Sequence, residues 1–396
     1  MVATDKLMRR HIGMWQRCHG RKPCFRQSYT AREQASREAD AEKFVRVAEK
    51  SIASGLRDAE SAVFQAFAVF ARAALDMDDA HLKLLVQGFP YLAKGLAEQA
   101  RRFDPAVSAT DIFQASRNVW TAAGLQVLLG RPLQLTPAIF AYSMLYPYTD
   151  NLLDDPHTSA DAKCAFNRRL RARLQGESPA PANPRERKVW ALVDKIESQY
   201  DRAGHPEVFR SLLAIQNAQE ESVGLRREAR LPSDQVLHGV FAKGGTSVLA
   251  DGYLAAGLLT AKQEEFAFGW GVLLQLADDL QDVAEDLAAG TATLFSETPS
   301  EPLDEVTNRV FEFGELVFAG LDTFQLPGVE PLKQLIRQSA AILLITAAGA
   351  AKELHTRTYI QELERHSPFR FGFVREHRQY FYGSGGLVGR CVAALA

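Results

Sequence analysis

Apolar positions recur every three to four residues along most of the chain. The pattern is plain in "DAESAVFQAFAVFARAAL" (58–75), "DIFQASRNVWTAAGLQVLLG" (111–130), "TPAIFAYSMLYPYTDNLLDD" (136–155), "PEVFRSLLAIQNAQEESVGLRRE" (206–228) and "TAKQEEFAFGWGVLLQLADDLQDVAEDLAAG" (260–290). Each stretch is read as a helix with one buried face. The strict alternation of a half-buried strand is missing. Terminal signals agree with the periodicity. Thr136 before Pro137 is an N-cap with proline in the first turn, Thr260 is a second cap with Glu264 and Glu265 near the positive helix end, and Gly290 is a helix stop. The longest apolar run, "AAILLITAAGAA" (340–351), is well short of the roughly 20 residues that cross a bilayer and reads as a buried core helix. The Pro- and Gly-rich segment "QGESPAPANPRER" (175–187) lies between helices, not between different compositions. The expectation is an all-α protein. One helical domain spans 41–396, preceded by an N-terminal extension, 1–40.

Composition narrows the function classes. A chain of 396 residues, 46% hydrophobic and 24% charged, can bury a large core. A net charge of −2 gives no overall bias toward nucleic acid, although the first 32 residues carry eight Lys/Arg against the single acid Asp5. Four scattered cysteines (Cys18, Cys24, Cys164, Cys391) make no disulfide framework and favour a reducing, cytoplasmic setting. Cys18 and Cys24 with His11 and His19 match no common zinc spacing.

The chemistry gathers in two acidic clusters that interrupt apolar helices. In "YPYTDNLLDDPH" (146–157), Asp150 and Asp154 are four apart, followed by Asp155; in "QLADDLQDVAED" (275–286), Asp278, Asp282 and Asp286 repeat at the same interval, flanked by Asp279 and Glu285. On a continuous helix the latter three share a face and span about 12 Å. Like charges at that spacing repel by a few tenths of a kcal/mol per pair, and more if buried. A solvated acidic face is the bland reading of either cluster alone. Two clusters at the ends of apolar helices favour hard carboxylate oxygens facing each other across a cavity. That donor set suits Mg²⁺, which keeps several waters and is completed by substrate phosphates. A di-iron bundle also needs Glu-x-x-His pairs, which neither cluster has.

"DNLLDD" followed by "QLADDLQDVAEDLAAGTATLF" resembles the two aspartate-rich motifs of the class I isoprenoid synthase superfamily. Asp278, Asp279 and Asp282 match the D-D-x-x-D of trans-polyprenyl diphosphate synthases. Gln275, Asp282, Val283, Glu285 and Asp286 match the Q-x(6)-D-V-x-E-D of squalene and phytoene synthases. Asp150-Asn151 with Asp154 is similar to the D-N-x-x-D of bacterial terpene synthases. The likeness covers residues 110 to 295. It implies a helical bundle around a central cavity, a linear prenyl diphosphate as substrate, three Mg²⁺ ions held by Asp150, Asp154, Asp155, Asp278, Asp279, Asp282 and Asp286, and a homodimer. Asp150, Asp154, Asp278 and Asp282 would carry the ionisation. Asn151, Tyr146, Gln219, Arg226, Arg227, Lys243 and Gln275 would contact the substrate.

Departures from those families order the alternatives. No G-G-K-R segment precedes the first motif and no arginine pair follows it closely, since Arg168-Arg169 come 13 and 14 positions after Asp155. A site for a second diphosphate is therefore not evident, which favours cyclisation or elimination of one substrate over coupling of two prenyl units. A non-catalytic isoprenoid-binding protein is the reading from another class. Lys243 precedes "GGTS", where paired glycines are expected to break or kink the helix and expose amides. Aromatic candidates for a cation-stabilising cavity are Phe140, Tyr142, Tyr146, Tyr148, Trp120, Phe241 and Tyr253.

Overall fold

A computed structural model describes residues 4–54, 59–155, 157–223, 233–297 and 301–382, with Asp154 described by its backbone alone. Five helices come first: Thr4–Gln16 (α1), Ala31–Ser54 (α2), Ala59–Leu75 (α3), Asp79–Gln87 (α4) and Phe89–Phe103 (α5). The central set is Ala109–Leu128 (α6), Pro137–Asp154 (α7), Ala160–Leu174 (α8), Pro184–Gln199 (α9), Pro206–Val223 (α10), Ser233–Ala256 (α11), Ala261–Gln281 (α12) and Val283–Ala289 (α13). Asp304–Phe318 (α14), Glu330–Ala350 (α15), Arg357–Glu364 (α16) and Phe371–Tyr382 (α17) follow. The protein is all-α, with no strand among the described residues.

The two middle helices, α11 and α12, are the axis of the molecule. α11 packs on α12, α10, α6 and α7, while α12 also meets α14 and α15. Their crossing is close because small residues face each other. A Cβ on Gly271 would lie 2.1 Å from the Gly244 carbonyl oxygen, one on Gly244 would lie 2.6 Å from the Gln275 Cβ, and one on Gly245 would strike the Phe268 ring at 2.4 Å. The expected break at "KGGTS" is accordingly not there. Gly244 and Gly245 lie inside one continuous 24-residue helix, and the glycines let two backbones touch instead of bending one.

Most expected helices appear within a residue or two of their ends, with the caps foreseen. The Thr136 hydroxyl accepts from the Ile139 N–H, and Thr260 forms a capping box with Gln263. Gly290 takes the left-handed conformation that ends α13 (φ 67°). The stretch 260–290 differs. It is two helices, joined at Asp282, whose backbone leaves the helical region (φ −102°, ψ 10°).

The N-terminal segment packs on the central helices. Leu7, Met8, His11 and Trp15 of α1 are buried against α11, α12 and α14, and residue 40 falls inside α2. His11 bonds the Leu7 carbonyl and, through Nε2, the Glu265 carbonyl at 3.0 Å. His11 is thus spent on packing, Cys18 is buried and Cys24 is exposed. No described helix is long and apolar enough to cross a membrane.

Candidate functional site

Helix α7 carries the first acidic cluster, and its local chemistry explains its shape. Pro147 has no N–H to give the preceding turn. Two residues on, the Thr149 hydroxyl turns back to the Leu145 carbonyl at 2.9 Å. Along one face of the helix Tyr142, Tyr146 and Asp150 follow at intervals of four, so a row of one buried and one half-buried phenol ends in a carboxylate. The Tyr146 hydroxyl is hydrogen-bonded to Asp150. Burial pushes its pKa above the ordinary tyrosine range, Asp150 and Asp278 push it further, and Arg117 opposes them. One phenol therefore senses both acidic clusters.

The second cluster stays on one side of the chain despite the break in its helix. The Asp282 N–H bonds the Asp278 carbonyl at 3.0 Å and the Asp286 N–H bonds the Asp282 carbonyl at 2.9 Å, so the four-residue spacing runs through the joint. Arg117 of α6 pairs with Asp278 at 3.2 Å. Arg378 of α17 pairs with Asp282 at 2.7 Å. Burial and the charges of Asp282 and Asp278 raise Asp286 to about 6, with Lys243 acting against them. Asp279 faces inward, 7% exposed; one oxygen accepts from Gln275 at 2.7 Å and the other has no partner. Burial pushes Asp279 up to about 7.

Lys243 lies on α11 opposite these acids and is felt by both Asp279 and Asp286. Below it Ser247 and Asp251 continue the same face at intervals of four, facing the Tyr142–Tyr146–Asp150 row. The Tyr142 hydroxyl donates to the Ser247 carbonyl at 3.2 Å and feels the Asp251 charge. Asp251 is 2% exposed, and burial alone drives its carboxyl well above the normal range. Between the rows is a cavity of about 40 Å³ lined by Asn118, Tyr142, Leu145, Tyr146, Leu212, Ile215, Gln219 and Ser247 among others.

The expected residues divide into three groups. Asp150, Tyr146, Asp278, Asp282, Asp286, Lys243, Gln275 and Asp279 converge around the mouth, and Gln219 reaches the cavity beneath it. Asn151 and Asp155 turn elsewhere. Asn151 is one position, about 100°, around the helix from Asp150, and donates to Asp111 at 2.9 Å in a separate cleft with Asp104, Arg185 and Lys188. Asp155 caps its own turn, accepting from the His157 N–H at 2.9 Å and the Thr158 hydroxyl at 2.7 Å. Arg226 and Arg227 lie outside the described residues, as does the side chain of Asp154.

Of the aromatic candidates only Tyr142 and Tyr146 line the cavity. Phe140 and Phe241 are core, Tyr148 bonds Asp104, Tyr253 bonds Glu264, and Trp120 is partly exposed. Arg378, Asn118 and Asp251 are additions that no motif marked, and Ser247 ends the quoted "GGTS" stretch without having been singled out. The last two could have been found from Lys243 by stepping along α11 in fours; Arg378 could not, because nothing in its sequence says where α17 docks.

As a metal site the mouth is open. Among the described residues no three His, Cys, Asp or Glu side chains come together as a group that could hold a metal ion. The donors on offer are carboxylates from α7, from α12 and α13, and from Asp282 at the joint of the last two, and Asp278 and Asp282 are engaged by arginine. Hard oxygens in that number fit an ion that takes one or two protein carboxylates and leaves its other positions to water and phosphate. Comparison of the chain with protein-family models and with curated proteins gives no match.

Proposed function

We propose that the chain binds a linear prenyl diphosphate with Mg²⁺ at this mouth and ionises it, as a terpene synthase acting on one substrate. The supporting observation is the convergence of two acid clusters, distant in sequence, on Tyr146 at the head of a mostly apolar cavity. Asp150, Asp278, Asp282 and Asp286 would hold the metal, which neutralises charge on a departing diphosphate. The chain's own cations divide the remaining work. Arg117, Lys243 and Arg378 ring the mouth and can donate to diphosphate oxygens. When anion and metal arrive, the arginines exchange a carboxylate partner for phosphate.

Beneath the mouth, Leu145, Leu212 and Ile215 exclude water, and the faces of Tyr142 and Tyr146 can stabilise a cation by about 0.5 to 2 kcal/mol each. At about 40 Å³ the cavity is far below the roughly 300 Å³ at which small-molecule pockets begin. The reading therefore requires the cavity to widen as the chain enters.

The test is metal-dependent pyrophosphate release from C10 to C25 prenyl diphosphates, with products identified by mass spectrometry, beside Asp150→Ala and Asp278→Ala. Turnover of a single substrate that both variants lose supports the reading. A requirement for isopentenyl diphosphate, or a joined C30 or C40 product, would move the chain to the coupling enzymes. No release from any substrate would leave the non-catalytic isoprenoid-binding protein.

A further inference from the structure

Five acids are buried among the described residues, and four of them have partners. Glu38 takes the Arg370 guanidinium and backbone N–H, Glu186 takes Arg169 and the Ala182 N–H, Asp104 takes Tyr148, Lys188 and the Ala106 N–H, and Asp279 takes the Gln275 amide on one oxygen. The fifth is Asp251, 2% exposed, which has no hydrogen bond or ion pair with any described residue. A buried polar group without a partner costs stability, and native folds keep few of them. Asp251 is the exception here, and such a group points to a partner from outside the chain. Its place narrows what that partner is. Asp251 shares a face of α11 with Lys243 and Ser247, and stands about 12 Å along the helix from the lysine. The Tyr142 hydroxyl, which donates to the Ser247 carbonyl at 3.2 Å, feels its charge. Tyr142 and Ser247 line the cavity, so Asp251 lies one helical turn beyond them, at the end away from the mouth.

We propose that Asp251 is a specificity residue, selecting a prenyl diphosphate whose far end carries a hydroxyl group. The inference rests on the prenyl diphosphate reading above and names the substrate within that class. With the diphosphate at the mouth beside Lys243, a chain that reaches past Tyr142 in the widened cavity brings its last carbons to Asp251. A plain hydrocarbon end leaves the carboxyl unmatched. A hydroxyl end donates to one of its oxygens, and does so in either protonation state of the acid. A buried group that bonds a substrate hydroxyl discriminates well, because the analogue lacking the hydroxyl leaves that group unpaired.

The experiment measures pyrophosphate release by the full chain with Mg²⁺ from geranyl and farnesyl diphosphate and from the same two compounds hydroxylated at the terminal carbon. The parent should prefer a hydroxylated compound in kcat/KM. Asp251→Leu should cut that preference by about five- to hundredfold, the worth of one buried polar group left unpaired. Asp251→Ala, which adds no bulk, gives the same readout if the leucine variant does not fold. Asp251→Asn still accepts a hydrogen bond and should keep most of the preference, which separates the bond from a change of shape. Plain compounds turned over as well as the hydroxylated ones, or better, overturn the inference and leave the reading of the site intact. A preference that neither Asp251→Leu nor Asp251→Ala alters overturns it in the same way. No release from any of the four compounds removes both.

Discussion

At the scale of the residue, the feature with the largest energetic consequence is a carboxyl held out of water. Asp279 titrates near 7 in the fold against about 3.9 in an unfolded chain. Between those values the folded state binds more protons than the unfolded one, so stability falls as pH rises from about 4 to 7. Asp279→Asn should flatten that part of the profile, a difference on the order of a few kcal/mol at pH 7, read from urea unfolding of both proteins at several pH values. An unchanged profile would mean that Asp279 is hydrated. Arg378 makes the contrary case. Its pair with Asp282 is about one third exposed on both sides, so Arg378→Ala should cost less than about 1 kcal/mol of stability. If the proposed function holds, the same variant should lose at least about tenfold in kcat/KM, because a charged donor to diphosphate is worth roughly 1.5 to 3 kcal/mol. Equal losses in wild-type stability and activity assays would demote Arg378 to a structural contact.

Among elements, α11 and α12 hold the site in shape. Gly245→Ala would drive a methyl into the Phe268 ring and Gly271→Ala into the Gly244 carbonyl. Each should destabilise by about 1 to 3 kcal/mol or more, as overpacked cores do, and thermal denaturation measures it. Gly290→Ala, with nothing near its would-be Cβ, should cost about 1 kcal/mol, from backbone conformation alone. Of the two, α12 was legible in the sequence from its apolar period and its Thr260 cap, whereas the stretch of α11 showed itself only through Lys243 and the paired glycines. The acids were legible because carboxylates in an apolar helix demand a reason. What periodicity could not convey was the helix-to-helix relation. Paired glycines read equally well as a kink or as a contact, and only the facing Gly271 decides. Asn151 shows the same limit on a smaller scale: it belongs to the motif by spacing, but a turn of about 100° sends it to Asp111.

For the whole molecule, the N-terminal helix is part of the fold. Deleting residues 4–16 would strip Leu7, Met8 and Trp15 from α11, α12 and α14 and expose the ring of Phe313, against which Trp15 packs. Loss of cooperative unfolding, or a markedly lower Tm, is expected in calorimetry; a truncated chain as stable as the parent would contradict the packing. His11 adds a pH signature. Burial lowers its pKa below the ordinary 6.5, so the unfolded state takes up a proton first on acidification, and its contribution is lost as pH falls below about 6.5. That window runs against the one from Asp279, which is why the Asp279→Asn comparison has to be made as a difference. The positive charges of the first residues set them apart as an extension because charge is visible in a sequence and docking is not. The apolar spacing of Leu7, His11 and Trp15 was the quieter signal.

The contact between Gly244 and Gly271 also acts as a key in a keyway. Lys243 is the residue next to the key, so the register that lets the two backbones close also sets the ammonium against Asp279 and Asp286. Sliding α12 by one position would bring Trp270 or Val272 into the notch and turn the acids away from the lysine together. Packing and charge placement in this stretch can only change jointly, and a lineage that altered one would have to reinvent the other.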